Sequence, residues 1–287
     1  MPEKGGMPAY DKEAQSRCRE LRVGRSFVPF EPCSLSHHQT PPQRPLLLMQ
    51  ISLCKYSAIQ YQRTGFLMRA VCLQHVPFEG PGAFAAALTK RGVSLEYSLV
   101  PKEGLPHDTG DLLIVMGGPM SVNDSDAWIA EEAAFIRSAL LSKKPVIGVC
   151  LGSQFMAKAL GATVRSGKTL EIGMTTVRLT DEGKTDPVFG AGSESFEVFE
   201  WHGEIFELPK DCVSLAGSDI APLQAFRYGD RAYGLLFHVE MEEVGIDSLC
   251  RECAQDLMTA RLTAHQVKAI ALPRLPQLHE MADRLIG

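Results

Sequence analysis

Short apolar runs alternate with helical patterns between residues 69 and 160, and this alternation constrains the fold more than any other feature of the sequence. Four runs are predicted strands: RAVCLQ (69–74), SLEYSLV (94–100), DLLIVMGG (111–118) and PVIGV (145–149). Three segments are predicted helices: 83–91, 126–141 and 151–160. Strands that are apolar on both faces and alternate with helices are typical of a doubly wound parallel sheet.

After residue 162 the pattern changes to shorter, β-rich segments: ATVRS, GMTTVRLT, SESFEVFEW, DCVSLAGS, PLQAFRYG and RAYGLLFHVE. They predict an added antiparallel portion and one last central strand, Tyr233 to Val239. Two predicted helices follow, near 242–260 and 276–286. The predicted fold class is therefore α/β, with a doubly wound, mostly parallel central sheet flanked by helices and a small antiparallel addition.

Residues 1–67 differ in composition from the rest of the chain. They hold seven of the 18 prolines and nine Lys/Arg against five Asp/Glu, a net charge of +4 in a chain of net charge −5. No clear periodicity runs through them. We expect an irregular, disordered extension, or else a natural start at Met68, followed by one domain over residues 68–287.

The bulk composition excludes several classes of protein. No run of eighteen apolar residues occurs, so no membrane span is predicted, and a net charge of −5 gives no reason to expect nucleic acid as a partner. The eight cysteines form no disulfide framework, which favours a reducing, cytoplasmic location. Cys250 and Cys253 are interpreted as structural thiols. No metal site is predicted, and no nucleotide-binding glycine loop suggests a cofactor.

The segment Gly148-Val149-Cys150-Leu151-Gly152 carries the strongest chemical signal. It has the G-x-nucleophile-x-G spacing of a nucleophile elbow between a strand and a helix, with cysteine as the nucleophile. A side chain two residues to either side would collide with such a sharp turn, hence the glycines. The helix N-terminus that follows favours thiolate over thiol. A buried structural cysteine is the alternative for this motif alone.

His238 and Glu240 end the last predicted strand. Residues i and i+2 of a strand point to one side, so both side chains can face the elbow at the carboxyl edge of the sheet. This arrangement predicts attack by Cys150, proton transfer by His238 and orientation of the imidazole by Glu240. After another strand comes Met116-Gly117-Gly118-Pro119. We assign the oxyanion hole to the N–H groups of Gly118 and Leu151.

Together these segments resemble the class I (triad) glutamine amidotransferases, in particular free-standing proteins similar to the amidotransferase domain of GMP synthase. The resemblance covers residues 68–287. The matching segments are QHVPFEGPG (74–82), GGPMSVND (117–124), GVCLGSQ (148–154), EIGM (171–174), EVFEWHGEIFELP (197–209), QAF (224–226) and YGLLFHVE (233–240). The chain departs from the usual pattern at Val239, where the family has Pro, and at Met174, where this branch often has Trp.

The resemblance implies hydrolysis of the side-chain amide of glutamine through a glutamyl thioester, with ammonia passed to an acceptor. It assigns five residues to the substrate pocket: Gln154, Gly117, Glu171, Ile172 and Gly173. Trp201 and His202 are pocket-wall candidates, and His75 is a weaker one. The sequence suggests no ammonia-accepting domain, so we expect the ammonia to pass to a separate subunit or to a freely bound acceptor; whether the chain forms a homo-oligomer is left open.

Three other functions stay open. The same Cys-His-Glu set can act as a γ-glutamyl peptidase or hydrolase on γ-glutamyl amides, if the pocket admits a larger leaving group. A non-catalytic regulatory protein of the same fold is a second alternative, although it has no need for an intact triad. The protease and chaperone branch that shares the elbow is a third, but it does not normally use this His-x-Glu strand end.

Overall fold

A nine-stranded mixed sheet forms the centre of the computed structural model, which describes residues 68–190 and 193–287. The prediction for residues 1–67 lies outside the described residues, and the domain boundary at residue 68 stays a prediction. The strands are β1 Met68–Gln74, β2 Val93–Leu99, β3 Leu112–Val115, β4 Val146–Val149, β5 Val164–Leu179, β6 Ser195–Phe206, β7 Cys212–Gly217, β8 Ala225–Tyr228 and β9 Ala232–Leu235.

The helices of the described residues flank this sheet or close the chain. They are α1 Ala83–Lys90, α2 Val100–Glu103, α3 Ala127–Leu141, α4 Leu151–Ala159, α5 Asp181–Thr185, α6 Glu243–Glu252, α7 Ala254–Ala260, α8 Ala264–Ala271, a 3-10 turn at Leu272–Arg274, and α9 Leu275–Ile286. Among them, none combines the length and the apolar character needed to cross a membrane.

The strand order is β2-β1-β3-β4-β9-β8-β7-β5-β6. The first five strands of this order pair in parallel, and the remaining pairs are antiparallel. Two clusters of buried apolar side chains cover the sheet, and β4 is buried along its whole length. This arrangement confirms the predicted fold class, because central parallel strands need apolar residues on both faces.

The antiparallel part differs from the prediction in its detail. Two predicted segments, ATVRS and GMTTVRLT, belong to one 16-residue strand, β5. A register shift between Ser166 and Glu171 interrupts its pairing with β6. The intervening glycine and polar residues hid the continuity of the strand, because they carry no alternation of apolar side chains.

The last central strand is shorter than predicted. β9 ends at Leu235, whereas the prediction extended the strand to Val239. The carbonyl of Leu235 accepts the N–H of Cys150 at 2.8 Å, and beyond it the chain leaves β4. His238 then donates its N–H to the carbonyl of Phe199 at 2.7 Å and forms an isolated bridge with β6. β6 therefore curls to the carboxyl edge of β4 and β9.

The C-terminal helices are also more divided than predicted. The predicted helix 242–260 is broken at Cys253, where φ is −110° and ψ is 35°, into α6 and α7. The helix α8 was not predicted, although Thr263 and Gln266 form a capping box at its start that the spacing T-x-x-Q could have indicated.

Candidate active site

Cys150 occupies the turn between β4 and α4. Its backbone has φ 50° and ψ −108°, a left-handed conformation that is strained for a residue with a side chain. The hydrogen bond from its N–H to Leu235 on β9 holds the turn at the carboxyl edge of the sheet. This is the geometry of a nucleophile elbow.

The two glycines around Cys150 are required by close contacts. A Cβ on Gly148 would lie 2.6 Å from the sulfur of Met156 and 2.7 Å from the carbonyl oxygen of Gly152. A Cβ on Gly152 would lie 2.0 Å from the carbonyl oxygen of Val115. The second clash is with the neighbouring strand β3 and not with the turn itself, so Gly152 allows α4 to approach the sheet.

His238 and Glu240 form a buried pair beside the elbow. Nδ1 of His238 lies 2.7 Å from Oε1 of Glu240, and the N–H of Val239 donates to Oε2 at 3.0 Å. The start of α1 fixes the backbone of Glu240, since the backbone carbonyl of Glu240 accepts a hydrogen bond from the N–H of Ala83 at 2.8 Å. Gly82 permits this approach: it has φ 44°, and a Cβ there would lie 2.0 Å from that carbonyl oxygen.

Burial shifts the pKa values of Cys150 and His238 in opposite directions, and in each case the hydrogen-bonding neighbours oppose the effect of burial. Burial raises the pKa of the Cys150 thiol, although a hydrogen bond with His238 and the N–H of Leu151 lower it. Burial lowers the pKa of His238, but the charge of Glu240 and the contact with Cys150 outweigh this, and the pKa lies well above its ordinary value. Burial therefore opposes the thiolate that the helix terminus was predicted to favour, while His238 and the N–H of Leu151 favour it.

The predicted oxyanion loop lies next to the sulfur. Gly118 lines the same cavity as Cys150, and the N–H of Leu151 interacts with the thiol. His75 holds this loop from behind: its Nδ1 lies 3.0 Å from the carbonyl oxygen of Gly117, and its Nε2 lies 2.9 Å from Oε1 of Glu132. His75 is thus a positioning residue of the loop and lies outside the cavity wall.

A small cavity adjoins the sulfur of Cys150. Its volume is about 30 Å³, which is room for one or two water molecules. The walls include Glu79, Trp201 and His202. Trp201 closes one side, because its Nε1 donates to Oδ2 of Asp256 on α7 at 3.0 Å, while its carbonyl oxygen lies 3.6 Å from the sulfur of Cys150.

The remaining predicted pocket residues do not line this cavity. Gln154 is buried in the first turn of α4, one helical turn after Cys150. Within the described residues, the lining of this cavity includes Leu170 and Gly203 but none of Gln154, Gly117 and the stretch 171–173. Gln154 and Gly117 nevertheless lie near the site: the N–H of Gln154 donates to the carbonyl of Cys150 at 3.1 Å, and a Cβ on Gly117 would lie 3.3 Å from Cε1 of His238.

Sequence reasoning missed two carboxylates of the cavity wall, Glu79 and Asp256. Glu79 stands in the segment QHVPFEGPG, so the resemblance itself carried a signal for it. Asp256 lies on α7, and no local pattern marks it. Only the packing of α7 against β6, through the bond to Trp201, brings this carboxylate to the site.

A second polar cluster lies beside the cavity, on β5 and β6. Glu171, Glu200 and His202 are buried and offer ligand atoms that all lie within 4.8 Å of one another. Burial raises the pKa of Glu171 to about 7; His202 opposes the shift and Glu200 adds to it. Among the described residues, this is the group of His, Cys, Asp and Glu side chains that could hold a metal ion.

Comparison with known proteins gives a consistent set of relatives. The sequence model of the family described as glutamine amidotransferase class-I matches residues 83–244. The glutamine amidotransferase-like protein YfeJ of Salmonella typhimurium is 31% identical over 230 residues, which is 76% of this chain and 94% of the relative. A GMP synthase (glutamine-hydrolyzing) subunit from Saccharolobus solfataricus is 33% identical over 141 residues, 48% of this chain and 72% of the relative.

Solved structures agree with these sequence relatives. A glutamine amidotransferase from Thermotoga maritima superposes with a TM-score of 0.70 at 28% identity, covering 76% of this chain and 95% of the other. A second, from Methylobacillus flagellatus, gives a TM-score of 0.70 at 27% identity and covers 76% and 92% of the two chains.

Proposed function

The chain belongs to the class I glutamine amidotransferases, and from this premise we propose that it hydrolyses the side-chain amide of glutamine through a thioester on Cys150. The observation that carries the proposal is the placement of Cys150 on the strained elbow, together with the buried pair of His238 and Glu240 at 2.7 Å, whose imidazole lowers the pKa of the thiol. A nucleophile, a base and a group that orients the base are the minimum set for acyl transfer.

The proposed reaction begins with proton transfer from the thiol of Cys150 to Nε2 of His238, since Nδ1 is engaged with Glu240. The sulfur bonds to the amide carbon, and the C–N bond breaks as His238 returns the proton to the leaving ammonia. Water then attacks the thioester carbon as His238 takes one of its protons. The C–S bond breaks, His238 returns the proton to the sulfur of Cys150, and glutamate leaves. The raised pKa of His238 favours its acceptance of the thiol proton, and the resulting imidazolium is stabilised by the charge of Glu240.

The oxyanion of each tetrahedral intermediate forms beside the elbow. We assign its hydrogen bonds to the N–H groups of Gly118 and Leu151, which belong to the loop after β3 and to the start of α4. The loss of one such donor typically costs a factor of about 10² to 10³ in rate.

Two carboxylates in the cavity wall, the buried Glu79 and the partly buried Asp256, support a substrate that carries an ammonium group. Oδ2 of Asp256 accepts the hydrogen bond from Nε1 of Trp201, and the other carboxylate oxygen, Oδ1, can contact a ligand. Burial raises the pKa of Asp256, with the bond from Trp201 opposing the shift, so a cationic partner in the cavity would be favoured. Glutamine presents an α-ammonium group at the end opposite to its amide, and we assign Asp256 as its anchor.

The acceptor of the ammonia is proposed to lie on a separate protein. One relative is named as a subunit of a glutamine-hydrolyzing GMP synthase, and the described residues form the amidotransferase fold with no second sheet that could serve as an acceptor domain. The γ-glutamyl hydrolase alternative needs room for a leaving group larger than ammonia. A cavity of about 30 Å³ must open for either substrate, and ammonia demands the smaller opening.

Release of ammonia from glutamine tests the proposal. We expect turnover by the wild type and by Cys212→Ala, a control that removes another thiol, and none by Cys150→Ala. A parallel assay with γ-glutamyl dipeptides separates the two hydrolytic functions. Equal ammonia release by Cys150→Ala would contradict the thioester route, and cleavage of the dipeptides alone would favour the hydrolase alternative.

A further inference from the structure

The pairing of β5 with β6 brings three ionisable side chains to one face of the sheet. Glu171 lies opposite His202 in the antiparallel register, and Gly173 lies opposite Glu200. Glu200 and His202 are two residues apart on β6 and so share a face. All three side chains are deeply buried, with exposed fractions of 5% for Glu171, 0% for Glu200 and 4% for His202.

None of the six polar atoms at the ends of these side chains has a hydrogen-bond partner among the described residues. These are both carboxylate oxygens of Glu171, both of Glu200 and both ring nitrogens of His202. Buried polar atoms in proteins are nearly always hydrogen-bonded, because each unsatisfied group costs roughly 1–3 kcal/mol. Six such atoms at one place therefore indicate a missing partner.

The separations within the cluster fit ligands around one ion. Nε2 of His202 lies 3.0 Å from Oε2 of Glu200 and 3.4 Å from Oε2 of Glu171. Neither contact has the geometry of a hydrogen bond, because an N–H on Nε2 would not point at either carboxylate oxygen. With metal–ligand bonds of about 2.1 Å, two ligands are about 3.0 Å apart at a right angle and about 3.4 Å apart at the tetrahedral angle. Both observed distances fall at these values.

The charge of the cluster also favours a bound cation. With a neutral imidazole, the two carboxylates carry a formal charge of −2 in a buried place, and a divalent cation cancels it. Room exists beside Glu200, since Gly173 is buried and no atom lies within 4 Å of the position that a Cβ there would take. A bulkier residue at this point would fill that space.

We propose that Glu171, Glu200 and His202 bind one divalent transition-metal cation, of the class that accepts mixed nitrogen and oxygen ligands, such as Zn²⁺ or Co²⁺. The ion joins β5 to β6 directly after the register shift at Glu171. It thereby fixes His202, which is also part of the cavity wall. The site differs from the expectation drawn from the sequence, where no metal was predicted, because its ligands meet only through strand register.

Metal binding by the full chain tests this site independently of the amidase activity. After removal of metals with a chelator, we expect the wild type to bind one Co²⁺, or one Zn²⁺ by elemental analysis, per chain. Glu200→Gln and Glu171→Gln should each weaken binding at least about tenfold, since each removes a ligand. The matched control is Glu204→Gln, the same change on the same face of β6 but at a carboxylate that accepts from Ser121; it should bind as the wild type does.

The eight cysteines of the chain are competing ligands, and Co²⁺ distinguishes them by its spectrum. A site of nitrogen and oxygen ligands gives visible d–d bands without a thiolate-to-metal charge-transfer band in the near ultraviolet. Circular dichroism of each variant shows whether it is folded. The proposal is overturned if the wild type binds no Co²⁺ or Zn²⁺, if a folded Glu200→Gln binds equally well, or if the charge-transfer band accompanies the bound Co²⁺.

Discussion

At the scale of single residues, the elbow could be predicted and the rest of the site only in part. The spacing of glycines around Cys150 predicts a sharp turn because a Cβ at Gly148 or Gly152 has no room. The position of His238 does not follow from its strand, because β9 ends three residues earlier. The hydrogen bond from the N–H of His238 to the carbonyl of Phe199 on β6 fixes the backbone position of His238 instead. Such a contact joins residues that are distant in the sequence, so no local pattern predicts it.

Replacing Gly152 by alanine tests the packing of the elbow. The new Cβ would lie 2.0 Å from the carbonyl oxygen of Val115, so we expect a loss of about 1–3 kcal/mol in the free energy of unfolding, measured with denaturant. Gly80→Ala is the control, because its nearest contact is an ordinary 3.7 Å to Gln74. Equal stability of the two variants would mean that α4 is not held against β3 as described.

Replacing Glu240 by glutamine tests the orienting carboxylate. The side chain keeps its shape but loses the charge that raises the pKa of His238, so His238 becomes a weaker base and its tautomer is no longer fixed. We expect kcat for glutamine to fall by about 10³ or more, by analogy with triads of this kind. Glu242→Gln, an exposed acid two residues away, should retain full activity. Unchanged kcat in Glu240→Gln would remove Glu240 from the mechanism.

At the scale of elements, the parallel half of the sheet and the last helix follow from the sequence, and the break between α6 and α7 does not. Buried strands such as β4 are apolar throughout, and this pattern fits only a central strand. The break at Cys253 depends on how α6, α7 and α8 pack on each other and on β5, since nothing in the segment 242–260 breaks its helical pattern. The start of α8, in contrast, is marked in the sequence by Thr263 and Gln266.

The ion pair between α1 and α9 should make stability depend on pH. Arg91 donates Nη1 and Nη2 to the two oxygens of Asp283. Its hydrogen bond lowers the pKa of Asp283 from an ordinary value of 3.8 to about 2. A lowered pKa stabilises the fold above the ordinary value, and that contribution disappears as pH falls toward the folded one.

We therefore expect Asp283→Asn to have a lower Tm than the wild type above about pH 4, with the difference closing between about pH 4 and pH 2. Asp219→Asn, which removes a more exposed pair with Arg178 on β5, provides the control and should shift Tm less. A Tm difference that is constant with pH would show that the charge of Asp283 does not link the two helices.

The contact of α7 with β6 leads to a prediction about substrate binding. In Asp256→Asn, the amide oxygen can still accept from Nε1 of Trp201, but the negative charge is lost. We expect KM for glutamine to rise about tenfold, equivalent to ~1.4 kcal/mol, with kcat nearly unchanged. Steady-state kinetics distinguish this from a structural role, since a collapsed cavity would lower kcat as well. An unchanged KM would contradict the assignment of Asp256 as the ammonium anchor.

At the scale of the whole molecule, the fold collects residues from distant segments at one edge of the sheet. The loop after β3, the elbow after β4, the segment after β9 and the curled end of β6 all meet around the sulfur of Cys150. The order of strands explains the first three, because the carboxyl ends of parallel neighbours share an edge. The curl of β6 explains why Trp201 and His202 reach this edge, and it leaves a small cavity, so the proposed hydrolysis of glutamine requires β6 or α7 to move.

The most direct measurement of the central claim is the mass of the protein during turnover. After rapid acid quenching in the presence of glutamine, we expect the wild type to carry one glutamyl group, and peptide mapping should locate it on Cys150. In Cys150→Ala no adduct should form. Steady release of ammonia without any adduct on Cys150, or with the glutamyl group on another cysteine, would contradict the account.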